Sequence, residues 1–189
     1  MSRPERNKPL FDCLEAVGGL LEAFGGRGVI LGGVAVGLIA EPRATLDIDA
    51  MLLLGTQDVP CLVEVAARYG LSPRVGDAVQ FACRTRMVLL RHGSTGTDVD
   101  IALGMLPFEA EMVDRSVEYR TGNVSIRLPT PEDLIIVKAV AHRRRDLADI
   151  ESIVQAHPNV DRKRIETYVR AFAGALDSPD LWDDIASLL

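Results

Sequence analysis

The sequence predicts an α/β (α+β) fold: a mixed β-sheet flanked by helices, with a C-terminal helical region. Three observations carry that expectation. Gly28-Val29-Ile30-Leu31 is a short apolar run between glycines; it breaks at Gly32-Gly33 and resumes as an apolar helical segment, so a strand feeds straight into a helix. In TLDIDAMLLL, residues 45–54, polar and apolar residues first alternate and then become wholly apolar, as in a central strand whose opening half shows one polar face. From Thr130 the texture changes, and the rest of the chain has helical periodicity.

Each element has a local reason. Leu10, Leu14, Val17, Leu21 and Phe24 recur at helical spacing and predict a helix over Pro9 to Phe24, stopped by Gly25-Gly26. After the Gly28–Leu31 strand, a short helix covers Val34 to Ala40, and Glu41-Pro42-Arg43 is a loop before the Thr45–Leu54 strand. Asp58 caps a helix reaching Tyr69. Phe81–Leu90 and Asp98–Leu103 read as two strands joined by the turn-rich HGSTGT, followed by a short helix or turn over Pro107–Asp114 and strands near Val117–Tyr119 and Val124–Leu128. Thr130-Pro131-Glu132-Asp133 combines a cap, a proline at the first helical position and acids in the first turn; the helix it opens is expected to run to about Val154. His157-Pro158-Asn159 breaks it, and a last helix covers Asp161 to Ala175. The expected division is an α/β core over residues 1–128 and a helical region over 129–189 packed on it as one compact unit.

Composition bounds the function. A chain of 189 residues with 48% hydrophobic residues buries roughly 70% of its unfolded surface and needs no staple of disulfide or metal. Its 27 acidic and 21 basic residues give a net charge of −6, which argues against a general nucleic-acid scavenger. Cys13, Cys61 and Cys83 are odd in number and widely spaced, which fits a reducing cytoplasm and neither a disulfide framework nor a zinc knuckle. His92, His142 and His157 lack zinc-ligand spacing. No apolar run reaches about 18 residues and no signal-like segment opens the chain, so neither membrane spanning nor secretion is expected.

The chemistry-bearing residues fall in a fixed order. Gly32-Gly33 stands at a strand-to-helix turn, where backbone can approach a phosphate and the helix start offers unpaired N–H donors. Strand alternation puts Asp47 and Asp49 on one face, where their oxygens can share hard cations. A third carboxylate from the later strand TDVDIAL would complete a two-magnesium site for in-line phosphoryl chemistry. Asp100 is chosen over Asp98 because it lies deeper in the apolar run, although both point the same way and a slip of register exchanges them. Carboxylates beside an apolar core are costly unless something cationic compensates, which favours the metal reading over a solvated face.

With these residues in this order, GGVAVGLIAEPRATLDIDAMLLL resembles the signature of minimal nucleotidyltransferases of the DNA polymerase β superfamily, and is most similar to the AbiEii/MenT-type group that includes toxins of bacterial toxin–antitoxin pairs. Gly32, Gly33 and Ala35, then Arg43, Thr45, Asp47 and Asp49, then Asp100, Lys138, and Arg145-Asp146 with Asp149 carry the resemblance, which spans roughly residues 28–154. It implies a polymerase β-like nucleotidyltransferase fold, an NTP substrate and two Mg²⁺ ions on Asp47, Asp49 and Asp100. Gly32, Gly33, Arg43, Thr45, Lys138 and Arg145 would contact the nucleotide, with Lys138 neutralising the triphosphate and Asp146 or Asp149 ordering the site. It also implies a tRNA 3′ end as acceptor and a cognate antitoxin as partner. Where many members of the superfamily carry Gly-Ser, this chain has Gly33 followed by Val34, which leaves phosphate contact to backbone amides with Thr45 as helper.

Helical geometry bears on Lys138 separately. At about 100° per residue, Ile136, Val140, Leu147, Ile150 and Val154 form an apolar stripe in one continuous helix, with Lys138, His142, Arg145 and Asp149 opposite; Asp149 then suits Lys138 by geometry, and Asp146 by motif. Basic residues gather locally at Arg74, Arg84, Arg86 and Arg91 and again at 142–145 and 162–164, patches that could meet a phosphate backbone. Other acceptors compatible with the chemistry are a protein hydroxyl (NMPylation) and a small molecule such as an aminoglycoside. Two rival classes are a non-catalytic binding module of the same fold and a carboxylate-based phosphodiesterase or nuclease; the latter leaves Gly32-Gly33 unexplained. Trp182 in the acidic tail reads as a packing anchor or part of a partner surface.

Overall fold

The structure, a computed structural model, describes residues 3–189, with side chains from residue 8 onward. Residue contacts separate two units: Ala44–Leu128 together with the chain up to Val34, and Ala35–Arg43 together with Pro129–Leu189.

The first unit contains α1 (Arg3–Ala23), β1 (Gly28–Ile30), the opening residues of α2 (Gly32–Ile39), β2 (Asp47–Leu53), α3 (Val59–Arg68), β3 (Leu71–Pro73), α4 (Ala78–Thr85), β4 (Met87–His92), β5 (Asp98–Gly104), α5 (Pro107–Arg115), β6 (Val117–Thr121) and β7 (Val124–Leu128). Five strands form a mixed sheet in the order β1-β2-β5-β4-β3, and β6 pairs β7 in a separate hairpin. Only β2 and β5 run parallel; β1 on β2, β4 on β5 and β3 on β4 are antiparallel. Ile48, Ala50, Met51 and Leu52 of β2 and Val99, Ile101 and Leu103 of β5 are buried, so the strands that carry the aspartates also form the middle of the core. Cys13, Leu14, Val17, Leu20 and Leu21 of α1 are buried as well. Side chains at Gly18 and Gly19 would strike the Ser125 carbonyl and the Tyr69 ring, so these glycines let α1 lie close to the hairpin and to the end of α3.

Two sequence expectations in this unit need correction. Residues 81–85 are helical: the Asp77 side chain caps α4 by accepting from Gln80 N at 2.8 Å, and Arg86 ends the helix in the left-handed region at φ 56°. The strand β3, absent from the expectation, is three residues long and includes Pro73, too short for its alternation to register.

The second unit contains the remainder of α2 with α6 (Pro131–Ala141), α7 (Arg144–Ala156), α8 (Arg162–Ala175) and α9 (Leu181–Ala186). Leu134, Ile135 and Ile136 of α6, Ile150 and Ile153 of α7, Ile165 and Val169 of α8, and Leu181, Trp182 and Ile185 of α9 are its core. Thr130 caps α6 by accepting from Asp133 N, as its motif predicts. The single helix expected from Thr130 to Val154 is instead broken in two. His142 is left-handed at φ 50° and Arg143 is extended, and the Asp146 carboxylate accepts from Arg143 N at 3.1 Å, so one helix ends and another is capped within two residues. No helix among the described residues is long and apolar enough to cross a membrane.

Candidate active site

The first unit aligns four carboxylates. In the parallel pair of β2 and β5, Asp47 lies opposite Asp98 and Asp49 opposite Asp100, so two rows of aspartates share one face of the sheet. The Thr45 hydroxyl donates to Asp47 Oδ1 at 2.8 Å and fixes the carboxylate nearest the strand start. Gly32, the first residue of α2, has φ +58°, and a Cβ there would fall 2.6 Å from Asp49 Cγ and closer still to its carboxylate oxygen. The glycine therefore leaves the room in which Asp49 sits. Leu31 N donates to Asp49 O at 2.8 Å, tying the turn into α2 to β2 beside that carboxylate. Gly33 follows in the first turn of the helix.

Two arginines hold the second row. Arg74 reaches Asp98 Oδ2 at 3.2 Å with one terminal nitrogen and bonds Asp100 Oδ1 with the other, while Arg91 Nε donates to Asp98 Oδ1 at 2.7 Å. The Arg91 guanidinium keeps the Asp98 carboxyl below the usual carboxylate range, with Arg74 adding to the effect. Arg91 and Asp98 are cross-strand neighbours on either side of the HGSTGT turn, so this pair was legible in the sequence. Arg74 was not, because it follows the strand that sequence reading missed. Two of the four arginines of the expected basic patch, Arg74 and Arg91, are thus paired with carboxylates; Arg86 donates to Leu103 O at 2.7 and 3.0 Å, and Arg84 is exposed.

The donor set suits Mg²⁺ in kind, since it consists of hard carboxylate oxygens in two registered rows. As the side chains stand, no three His, Cys, Asp or Glu residues among those described gather closely enough to hold an ion. Asp98 and Asp100 turn their oxygens to arginine instead.

The second unit holds a buried ionic network. Lys138 Nζ lies 2.7 Å from Asp149 Oδ2 and 3.2 Å from Asp146 Oδ1. Both carboxylates raised by sequence thus meet the lysine, and the broken helix explains how: α7 starts afresh and returns both to Lys138, which a continuous helix could not do. Arg43 Nη2 donates to Asp149 Oδ2 at 3.1 Å, and its Nε makes an ion-pair contact with Oδ1 at 2.9 Å. Arg143 Nε donates to Asp146 Oδ2 at 2.6 Å. Burial pushes the Asp146 carboxyl up, but hydrogen bonds from Arg143 and Lys138 outweigh it and hold the group below its ordinary value. Arg145, the arginine singled out by sequence, is exposed on α7 outside this network, and Arg143 takes the position on Asp146. The RRRD run hid that choice, because the helix start falls inside it.

A 670 Å³ hollow on the first unit, between α1, Tyr69 and the β6–β7 hairpin, includes none of the four aspartates.

Comparison with known proteins shows the family to which the chain belongs. Residues 12–170 match the family described as Nucleotidyltransferase of unknown function (DUF6036). The chain belongs to this nucleotidyltransferase family. Two solved structures share its fold. One is the solution structure of the antibiotic-resistance factor ANT(2'')-Ia, reported for its substrate-regulated conformation dynamics; it is 15% identical with a TM-score of 0.58 over 94% of this chain and 96% of that one. The other is an antigenic nucleotidyltransferase-like protein from Paracoccidioides brasiliensis, 13% identical with a TM-score of 0.55 over 92% of this chain and 90% of that one. None of the curated proteins compared with it matches. The nucleotidyltransferase fold expected from the motifs is therefore the fold of this family member.

Proposed function

We propose that the chain transfers NMP from an NTP to an acceptor hydroxyl: the acceptor oxygen bonds to the α-phosphorus and pyrophosphate leaves. The observation that carries the reading is the pair of registered aspartate rows on β2 and β5, with Asp49 seated against the glycine that starts α2. Asp47, Asp49 and Asp100 are the residues to hold two Mg²⁺ ions. Bound Mg²⁺ would activate the attacking hydroxyl and offset the charge that develops as pyrophosphate departs. Thr45 orients Asp47, and Gly32 keeps Asp49 in place. The backbone amides of Gly32 and Gly33 are the proposed phosphate donors. Lys138 is proposed as the ammonium that meets the triphosphate, with Asp146, Asp149 and Arg43 as positioning residues that fix its side chain. Arg145 enters the proposal through its motif alone.

For the acceptor, resemblance to the AbiEii/MenT-type group favours a tRNA 3′ end, with a cognate antitoxin as partner and the cytoplasm as setting. A small molecule such as an aminoglycoside is the second reading. It is favoured because Arg74 and Arg91 are ion-paired within the protein, which leaves less positive charge for a phosphate backbone. Incubation with each α-³²P-labelled NTP, Mg²⁺ and total tRNA, followed by a denaturing gel, separates these outcomes. Label in tRNA supports the first acceptor, label on protein redirects the reading to NMPylation, and label recovered only on an added aminoglycoside selects the second. Label on none of them, with no NTP bound in calorimetry, would reject the enzyme reading in favour of a binding module.

A further inference from the structure

We infer that Arg74 is a built-in counter-cation of the third carboxylate, and that a divalent ion enters the aspartate rows by displacing its guanidinium from Asp100. The inference rests on the proposed Asp47, Asp49 and Asp100 site and adds a residue that governs its loading.

Arg74 is held from behind. Its backbone N donates to Leu89 O at 2.9 Å and its Nε donates to Leu90 O at 3.0 Å, which aims the two remaining nitrogens across β4 at β5. One meets Asp98 and the other Asp100. The two carboxylates differ in what remains when Arg74 leaves. Asp98 keeps Arg91, whereas Asp100 is paired with Arg74 alone among the described residues. Removing Arg74 therefore uncovers the carboxylate that faces Asp49 across the strand pair and leaves the outer one neutralised.

Exchange is cheap at this position. Asp100 and Arg74 have side chains 32% and 24% exposed, and ion pairs with that access to water are weak and readily traded. A divalent ion takes several oxygens at once, so one that enters the rows gains contacts beyond the single carboxylate that Arg74 gives up. The freed guanidinium has a planar set of donors suited to phosphate oxygens, so a triphosphate offers it a new partner as Asp100 is given up. Nucleotide and metal would then promote each other's binding through one side chain.

Mn²⁺ titration of the full chain, followed by electron paramagnetic resonance without nucleotide, tests this directly. Arg74→Gln should bind Mn²⁺ tighter by about ten-fold, the scale of one unit charge at contact distance in a partly solvated site. Arg74→Lys, which keeps the charge and loses the forked geometry, should fall between. Nucleotide should tighten Mn²⁺ binding in the wild type and do so much less in Arg74→Gln. Equal or weaker Mn²⁺ binding by folded Arg74→Gln overturns the inference; if that variant melts early, Arg74→Lys decides by the same criterion. The two readings fail separately. Label transfer by the wild type with unchanged metal affinity in the variants sinks only the role of Arg74, whereas the expected Mn²⁺ shifts without label transfer sink only the proposed reaction.

Discussion

The aspartate rows of the first unit and the Lys138 network of the second both have part-exposed arginines at their edges, yet the carboxylates they hold differ in burial. Asp100 is a third exposed and its arginine partner is a quarter exposed. Lys138, Asp146 and Asp149 are 6, 0 and 4% exposed, and each meets more than one partner. Water access decides what each can do. A carboxylate with that access to water can trade a guanidinium for another cation at modest cost, as a site that binds and releases an ion requires. A buried network cannot, because breaking one pair strands a charge where nothing solvates it. The first cluster is suited to exchange and the second to holding one lysine in one geometry.

The sharpest way to break that contrast is substitution on the exchanging side. Asp49→Asn should lower NMP transfer by about 10³-fold, the loss of several kcal/mol of charge stabilisation. Its melting temperature should be equal to or above that of the wild type, because repulsion among the aspartates is relieved. The mirror experiment is Asp149→Ala, which strips a partner from both Lys138 and Arg43. It should cost roughly 3 kcal/mol of stability in a denaturant titration, whatever its effect on turnover. A neutral Asp149→Ala would erase the difference between the two clusters.

Gly32→Ala is expected to act on both measures more modestly. It forces a side chain into the left-handed region and into the space of Asp49. About 1–2 kcal/mol of stability should be lost, together with Mn²⁺ affinity, since the displaced carboxylate is a proposed ligand. The smallest effect concerns acid. Asp146 is held below its ordinary 3.8 in the folded chain, so the unfolded chain takes up that proton first as pH falls. Its contribution is complete above the unfolded value and disappears as pH drops through the folded one. Asp146→Asn should therefore be less stable than the wild type at neutral pH and show a flatter fall in melting temperature below about pH 4.

How much of this the sequence disclosed follows from how local each signal is. The Gly32-Gly33 break and the alternation around Asp47 and Asp49 depend on neighbours along the chain, and both appear where expected. The register that sets Asp49 opposite Asp100 could not be read from spacing, because 44 residues lie between the end of β2 and the start of β5 and a parallel pair has no turn to fix it. The Phe81–Thr85 stretch misled because its apolar residues continue into a real strand, while the cap at Asp77 and the left-handed Arg86 that make it a helix are single-residue signals. At residues 142–146 the helical periodicity barely falters across the break, so the sequence implied one helix, and the Arg143–Asp146 cap that starts a second lay within a run of three arginines. The assignment of Lys138 to two carboxylates depended on that break.

The most direct test of the central claim is paired. Wild type and Asp49→Asn, each shown to be folded by melting, are given α-labelled NTP, Mg²⁺ and total RNA, and labelled transfer product is quantified. The account predicts product from the wild type and none above background from an equally stable Asp49→Asn. Comparable turnover in the two would contradict it, because the aspartate rows would then not be where the chemistry occurs.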